Sequence, residues 1–122
     1  MAVMDVVEIV KALGDVTRLR ILNLLNKETL CVCDLEEVLK ISQSNASRHL
    51  TKLRFARLIT GEKQAQWVYY RVDETSLERY PFVRELLAKE LVNEPVCQKD
   101  VVRLRKYREL GGSCERTVHI TE

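Results

Sequence analysis

Cys31 and Cys33 stand two positions apart and are the residues of this chain best placed to do chemistry. Side chains two apart in an extended segment point the same way, so two sulfurs could share one ion there. In an α-helix the same pair would lie about 200° apart around the axis. The pair therefore chelates only if it precedes a helix, or if binding unwinds a first helical turn. Asp34, with Glu37 three positions on, has the form of a capping box and is expected to open a helix with both cysteines just outside it. A helix N-terminus and nearby Arg and Lys charges would then favour thiolates. Thiolates are soft donors and select soft ions. A third sulfur could come from Cys97 or Cys114, and Cys97, at the start of the last helical segment, is preferred to Cys114 in the tail. Two thiolates with an exogenous ligand are an alternative.

The elements that must position these sulfurs follow from periodicity and punctuation. Val3, Val6, Val7, Val10 and Leu13 recur at helical spacing, and Gly14 ends that helix. Asp15 caps a second helix bearing Leu19, Ile21, Leu22, Leu24 and Leu25. A short third helix has Leu35, Val38 and Leu39 inward. Ser42 caps a fourth, with Ala46, Leu50, Leu53 and Ala56 buried. Leu58 to Thr60 and Trp67 to Val72 read as a β-hairpin joined by the polar stretch 61–66. Pro81 opens a further helix carrying Phe82, Val83, Leu86, Leu87 and Leu91, which Pro95 breaks. A last helix, 98–110, stops at Gly111-Gly112, and a tail follows. The fold class is thus mainly α with a small β-hairpin, a winged helix–turn–helix. Residues 1–94 are expected to form the DNA-binding domain and 95–122 a C-terminal helix and tail.

A helix–turn–helix offers its second helix to the major groove of DNA. Charge supports that use. Lys plus Arg exceeds Asp plus Glu by only two over 122 residues, yet residues 40–63 hold six basic side chains and one acidic. Of the exposed positions on the fourth helix, Arg48 is expected to read guanine, and Gln43 or Asn45 adenine. Ser44, Ser47 and His49 lie beside them, while Lys52, Lys63 and Arg71 suit phosphate or wing contacts. Composition is that of an ordinary soluble domain, 46% apolar and 31% charged. No apolar run nears the ~18 residues of a membrane span, so no membrane partner is expected. Residues 1–10 carry Asp5 and Glu8 and no early basic cluster, so no export signal is expected. Four cysteines then imply the reducing cytoplasm. No base accompanies a thiol in the manner of a thiol–disulfide enzyme, and no catalytic residue or organic cofactor is expected. A winged helix that binds protein instead of DNA is a further reading.

Three segments carry a family resemblance: Ala12-Leu13-Gly14-Asp15-Val16-Thr17-Arg18-Leu19-Arg20-Ile21-Leu22, Ser42 through Leu53, and Trp67-Val68-Tyr69-Tyr70-Arg71-Val72. Over about residues 6–92 the chain resembles the ArsR/SmtB winged-helix metalloregulatory repressors. Leu30-Cys31-Val32-Cys33-Asp34-Leu35 looks like the thiol site of the arsenic-responsive branch. The resemblance implies a homodimer, built from the first helix and the helix after the wing, that represses an operon until an inducer binds; it thereby adds dimerisation to the role of residues 1–94. As(III) or Sb(III), forming three bonds in a pyramid, would be the inducer, with cadmium or lead at a thiolate site, or oxidation of the thiols, as alternatives. Two departures stand out. The branch often has a third cysteine where this chain has Glu36, and the wing turn commonly has glycine where this chain has Ala65, which points to a different turn. The zinc branch uses carboxylates and histidines on the helix after the wing, and residues 76–94 contain no histidine. His119 in the tail is expected to be solvated.

Overall fold

The computed structural model describes residues 3–120. Helix α1 (Val3–Leu13) leads into α2 (Val16–Leu25), where the Asp15 carboxylate accepts the Arg18 amide at 3.0 Å as the expected N-cap. Strand β1 (Leu30–Cys31) runs directly into α3 (Val32–Leu39), and a tight turn connects α3 to α4 (Gln43–Phe55). The wing is β2 (Ile59–Gln64) and β3 (Trp67–Val72). Then come α5 (Glu74–Arg79), α6 (Pro81–Glu85) and α7 (Pro95–Glu109). Between α6 and α7 the chain continues as a π-helical turn (Leu86–Glu90) and a 3₁₀ turn (Leu91–Asn93). No described helix is long and apolar enough to cross a membrane.

The apolar faces of α2, α3 and α4 close the core through Ile21, Leu22, Leu35, Val38, Leu50 and Leu53, all essentially inaccessible. Ala46 and Ala56 join them, completing the stripe expected of α4. α1 forms where the spacing placed it. Val6 and Leu13 pack against the core beside buried Ile9 and Ala12, while Val7 and Val10 are exposed; the Val3 side chain lies outside the described ones. The helix thus carries a second apolar face that the core leaves uncovered.

The sheet has three antiparallel strands in the order β1-β3-β2, where the sequence promised only a hairpin. Leu30 pairs with Tyr70 and Cys31 with Tyr69. The hairpin is paired from Ile59↔Val72 to Gln64↔Trp67, so the polar stretch expected to connect the strands is itself strand as far as Gln64. Its side chains face water, and a wing held by its backbone ladder needs no apolar alternation to form. The connection shrinks to Ala65 and Gln66, with Ala65 at φ 57°. Rather than a different turn relieving the missing glycine, alanine bears the left-handed backbone itself. Ala65→Gly is expected to stabilise the fold by about 1 kcal/mol, read as a higher urea midpoint at unchanged slope.

Asp73 caps α5, a helix too short to show periodicity, by accepting the Thr75 amide at 3.0 Å. Pro95 both ends one segment and opens the next, at the first turn of α7. α7 lies across α2 and α3. Arg20 donates twice to the Asp100 carboxylate, at 2.8 Å each, and Arg103 Nε donates to the Val38 carbonyl at 2.6 Å.

Candidate metal centre and nucleic-acid interface

Cys31 ends β1 and is itself the N-cap of α3, with φ −99° and ψ 174°. Its amide donates to Asp34 Oδ2 at 3.1 Å, and its thiol lies 3.4 Å from the same oxygen. Asp34 is therefore the third residue of the helix, and Cys33 lies inside the first turn. The expected start at Asp34 is corrected by three residues. The cause is that Asp34 reaches backward to the Cys31 amide instead of forward. The extended backbone that pairing with Tyr69 imposes on Cys31 swings its side chain toward that of Cys33, although one cysteine is helical.

Cys31, Cys33 and Cys114 bring their sulfurs within 4.8 Å of one another. Cys31 and Cys114 are buried and their sulfurs touch, with Cα atoms 6.3 Å apart. Cys97, preferred from the sequence as the third sulfur, is not in this cluster. It lies in the first turn of α7, buried beside Asn23, Val92 and Val101, and burial pushes its thiol pKa up, with Asp100 adding to the effect.

The tail reaches the site because the end of α7 turns it back. Gly111 takes φ 84°, the Gly112 amide donates to the Tyr107 carbonyl at 2.8 Å, and Ser113 and Arg116 close a turn around Cys114. A Cβ on Gly112 would come within 2.6 Å of the Tyr107 ring, so only glycine lets the chain pass so close. Arg108 ties the junction, donating to Glu28 at 2.7 Å, to the Gly112 carbonyl at 2.9 Å and to Asp34 at 3.4 Å. Burial and the Asp34 carboxylate push the Tyr107 hydroxyl pKa well up, keeping it a neutral donor, here to the Ser113 carbonyl at 3.2 Å. His119 is largely exposed, yet its Nδ1 lies 2.8 Å from Glu37, and Ile120 is buried. His119 is thus solvated as expected, and the tail that carries it is seated on α3.

Burial raises the Cys33 thiol pKa, and the carboxylates of Glu36 and Asp34 raise it further. The expected thiolate-favouring field is thus reversed: Glu36 and Asp34 stand beside Cys33, and Arg108 is engaged with Asp34 and Glu28. An open groove of about 550 Å³, lined by Cys33, Glu36, Lys40, Thr117 and His119, gives a small solute a path to the thiol.

The α3–α4 turn holds Lys40 at φ 56°, and Ser42 caps α4 by accepting the Asn45 amide at 3.1 Å. Gln43, Ser44, Ser47, Arg48 and Lys52 are exposed along α4, Asn45 is half-buried and accepts from Arg48, and Lys63 and Arg71 are exposed on the wing. His49 is the exception. It is buried, and its Nδ1 faces Arg18 Nη1 at 3.2 Å, so it fastens α4 to α2 instead of facing outward. Arg18 can only donate, so Nδ1 accepts and the ring is neutral. Burial lowers the His49 pKa against the pull of Asp15, which agrees. Arg18 itself, buried and donating to the carbonyls of Ala12 at 2.7 Å and Lys11 at 3.2 Å, joins α1, α2 and α4. Sequence reasoning gave it no role, since nothing in its spacing separates a buried arginine from an exposed one.

Residues 15–60 match the family model described as "Bacterial regulatory protein, arsR family". The chain is 46% identical over 63 residues to "Arsenic resistance transcriptional regulator ArsR1" of Pseudomonas putida, covering 51% of this chain and 49% of that protein. It therefore spans about half the length of that relative. It is 40% identical over 82 residues to the "Arsenical resistance operon repressor" of Bacillus subtilis, covering 66% of this chain and 72% of that one. Among solved structures, it superposes with a TM-score of 0.61 at 25% identity on a homodimeric winged helix-turn-helix DNA-binding domain from Mycobacterium bovis, described as a possible ArsR-family transcriptional regulator. That match covers 72% of this chain and 82% of the other.

Proposed function

The chain belongs to the arsR family of bacterial regulatory proteins, and from that premise we propose that it is a homodimeric, cytoplasmic repressor that leaves its operator when Cys31, Cys33 and Cys114 capture trivalent arsenic or antimony. The observation that carries this reading is the convergence of three sulfurs on the first turn of α3, the helix that supports α4. Gln43, Ser44, Asn45, Ser47 and Arg48 would contact base edges and phosphates, with Lys52, Lys63 and Arg71 on the backbone. Two copies would read an imperfect inverted repeat. The exposed valine face of α1 suits the subunit contact. Residues 1–94 form the DNA-binding and dimerisation part in this reading, and 95–122 supply the third sulfur. Pulling Cys31 and Cys33 toward one guest displaces the start of α3 and misaligns α4. By linkage, DNA weakens inducer binding by the same factor.

The thiol chemistry favours a metalloid over a divalent cation. Condensation of three thiols with arsenous acid forms three As–S bonds and releases three waters, with no net change in protons. A divalent ion must displace a proton from each thiol it binds. The raised Cys33 pKa therefore penalises cadmium near neutrality and leaves arsenite unaffected.

The test is a gel shift on DNA upstream of the chain's own gene, titrated with arsenite, antimonite, cadmium and zinc one pH unit below and above neutrality. The expected result is release by arsenite at nearly equal concentrations at both pH values. Any cadmium response strengthens with pH, by up to about tenfold per unit for each thiol. Binding itself should weaken steeply with salt. Release by zinc with indifference to arsenite, or no shift at all, overturns the reading.

A redox reading rests on one observation of its own. The 6.3 Å between the Cα atoms of Cys31 and Cys114 falls within the span a disulfide bridges. Oxidised glutathione would join the two sulfurs and leave as two molecules of the reduced thiol. Operator release by oxidised glutathione without metalloid would favour this alternative.

A further inference from the structure

We propose that Glu37 is a positioning residue that latches the C-terminal tail onto α3 and so delivers Cys114 to Cys31 and Cys33. The inference rests on the reading of those three sulfurs as the inducer site and adds how the third one is held there.

Glu37 follows Cys33 by four residues on α3, so the two share one face of the helix. The tail crosses that face, with Cys114 against the thiols and Ile120 against Glu37. The Glu37 side chain is buried. It receives the Ile120 amide at 3.0 Å, contacts His119 Nδ1 at 2.8 Å, and is paired with Lys40. Lys40 also donates to the Ile120 carbonyl at 3.1 Å. Both backbone polar groups of Ile120 are thereby gripped, and its side chain is buried as well. Without these contacts the tail beyond Cys114 would keep only weaker holds, Val118 against the core and Thr117 beside Tyr107. A cysteine tethered at both ends meets its partners at a far higher local concentration than one on a free arm.

Burial opposes ionisation of Glu37, but Lys40, the Ile120 amide and His119 outweigh it and hold the pKa down at about 2, against an ordinary 4.5. A lowered carboxylate pKa stabilises the docked state above its unfolded value and loses that contribution as pH falls through the folded one. The latch is therefore fully charged at neutrality and weakens only as pH drops from about 4.5 toward 2.

The test compares the full chain with Glu37→Ala, Glu37→Asp and a chain ending at Thr117, which keeps Cys114 but lacks the anchor. Two quantities are read. One needs no metalloid: the rate at which oxidised glutathione cross-links Cys31 to Cys114, followed by peptide mapping. The other is the number of sulfurs around bound arsenite, from X-ray absorption. In Glu37→Ala and the shortened chain, cross-linking is expected to slow at least about tenfold. The sulfur count falls from three to two, and arsenite affinity drops about 10- to 100-fold. Glu37→Asp recovers part of each. If Glu37→Ala does not fold, the shortened chain decides alone. Cross-linking at the full-chain rate and three sulfurs in the shortened chain would overturn the latch. A full chain that binds no arsenite would sink the inducer reading instead, while its cross-linking rates still decide the latch.

Discussion

Cys33→Ser is expected to bind operator as the unaltered chain does, yet to need at least about 100-fold more arsenite for release. A lost ligand costs more than the 10- to 100-fold typical of a supporting residue. Cys31→Ser should behave the same way, and it separates function from folding cleanly. Position 31 is a helix N-cap, where serine is among the preferred residues, so α3 keeps or gains stability while the site loses a sulfur. Cys114→Ser should lie between, because the neighbouring pair Cys31 and Cys33 on one helix end remains to hold the metalloid. Cys97→Ser should leave the response unchanged, since Cys97 sits in the first turn of α7, apart from the cluster. The measurement is a set of arsenite titrations of the protein–DNA complex, with thermal melts as the folding control. The site assignment fails if Cys97→Ser impairs release and Cys114→Ser does not.

Arg20→Leu is expected to destabilise the fold by about 3–5 kcal/mol. Asp100 is 1% exposed, and both of its oxygens are held by the Arg20 guanidinium. Removing the arginine strands a carboxylate between α2 and α7. The double variant Arg20→Leu/Asp100→Leu removes both charges together and should recover most of the loss, because two well-packed apolar groups can replace a buried pair at little cost. Chemical denaturation of the two variants settles this. A loss below about 1 kcal/mol in the single variant would place the pair with ordinary surface ion pairs and remove it as the clasp between α2 and α7.

Local chemistry was readable wherever one residue fixes one bond. Asp15 and Ser42 were expected to cap α2 and α4, and each accepts the amide of the third residue of its helix. The buried stripe of α4 followed from its period, with His49 as the one addition. Features that depend on partners distant in sequence, or on which way a short side chain turns, were not readable. β1 is two residues long and exists through its pairing with β3. Asp34 looks the same in sequence whether its carboxylate caps forward or reaches back to Cys31. The choice between Cys97 and Cys114 turned on the path of the tail, which Glu37 and Lys40 fix from about eighty residues away. Val7 and Val10 obey helical spacing yet point outward, because periodicity gives a face and not which side of the molecule it meets.

The Cys31 peptide belongs to two structures at once: the cap of α3 and the ladder shared with Tyr69 on the wing. Any guest that tugs on that residue acts like a hand on a hinge pin, loading both leaves of the door together. Helix and wing would then slacken on the duplex in concert, and a change confined to the wing could tune how readily the thiols respond without ever touching them.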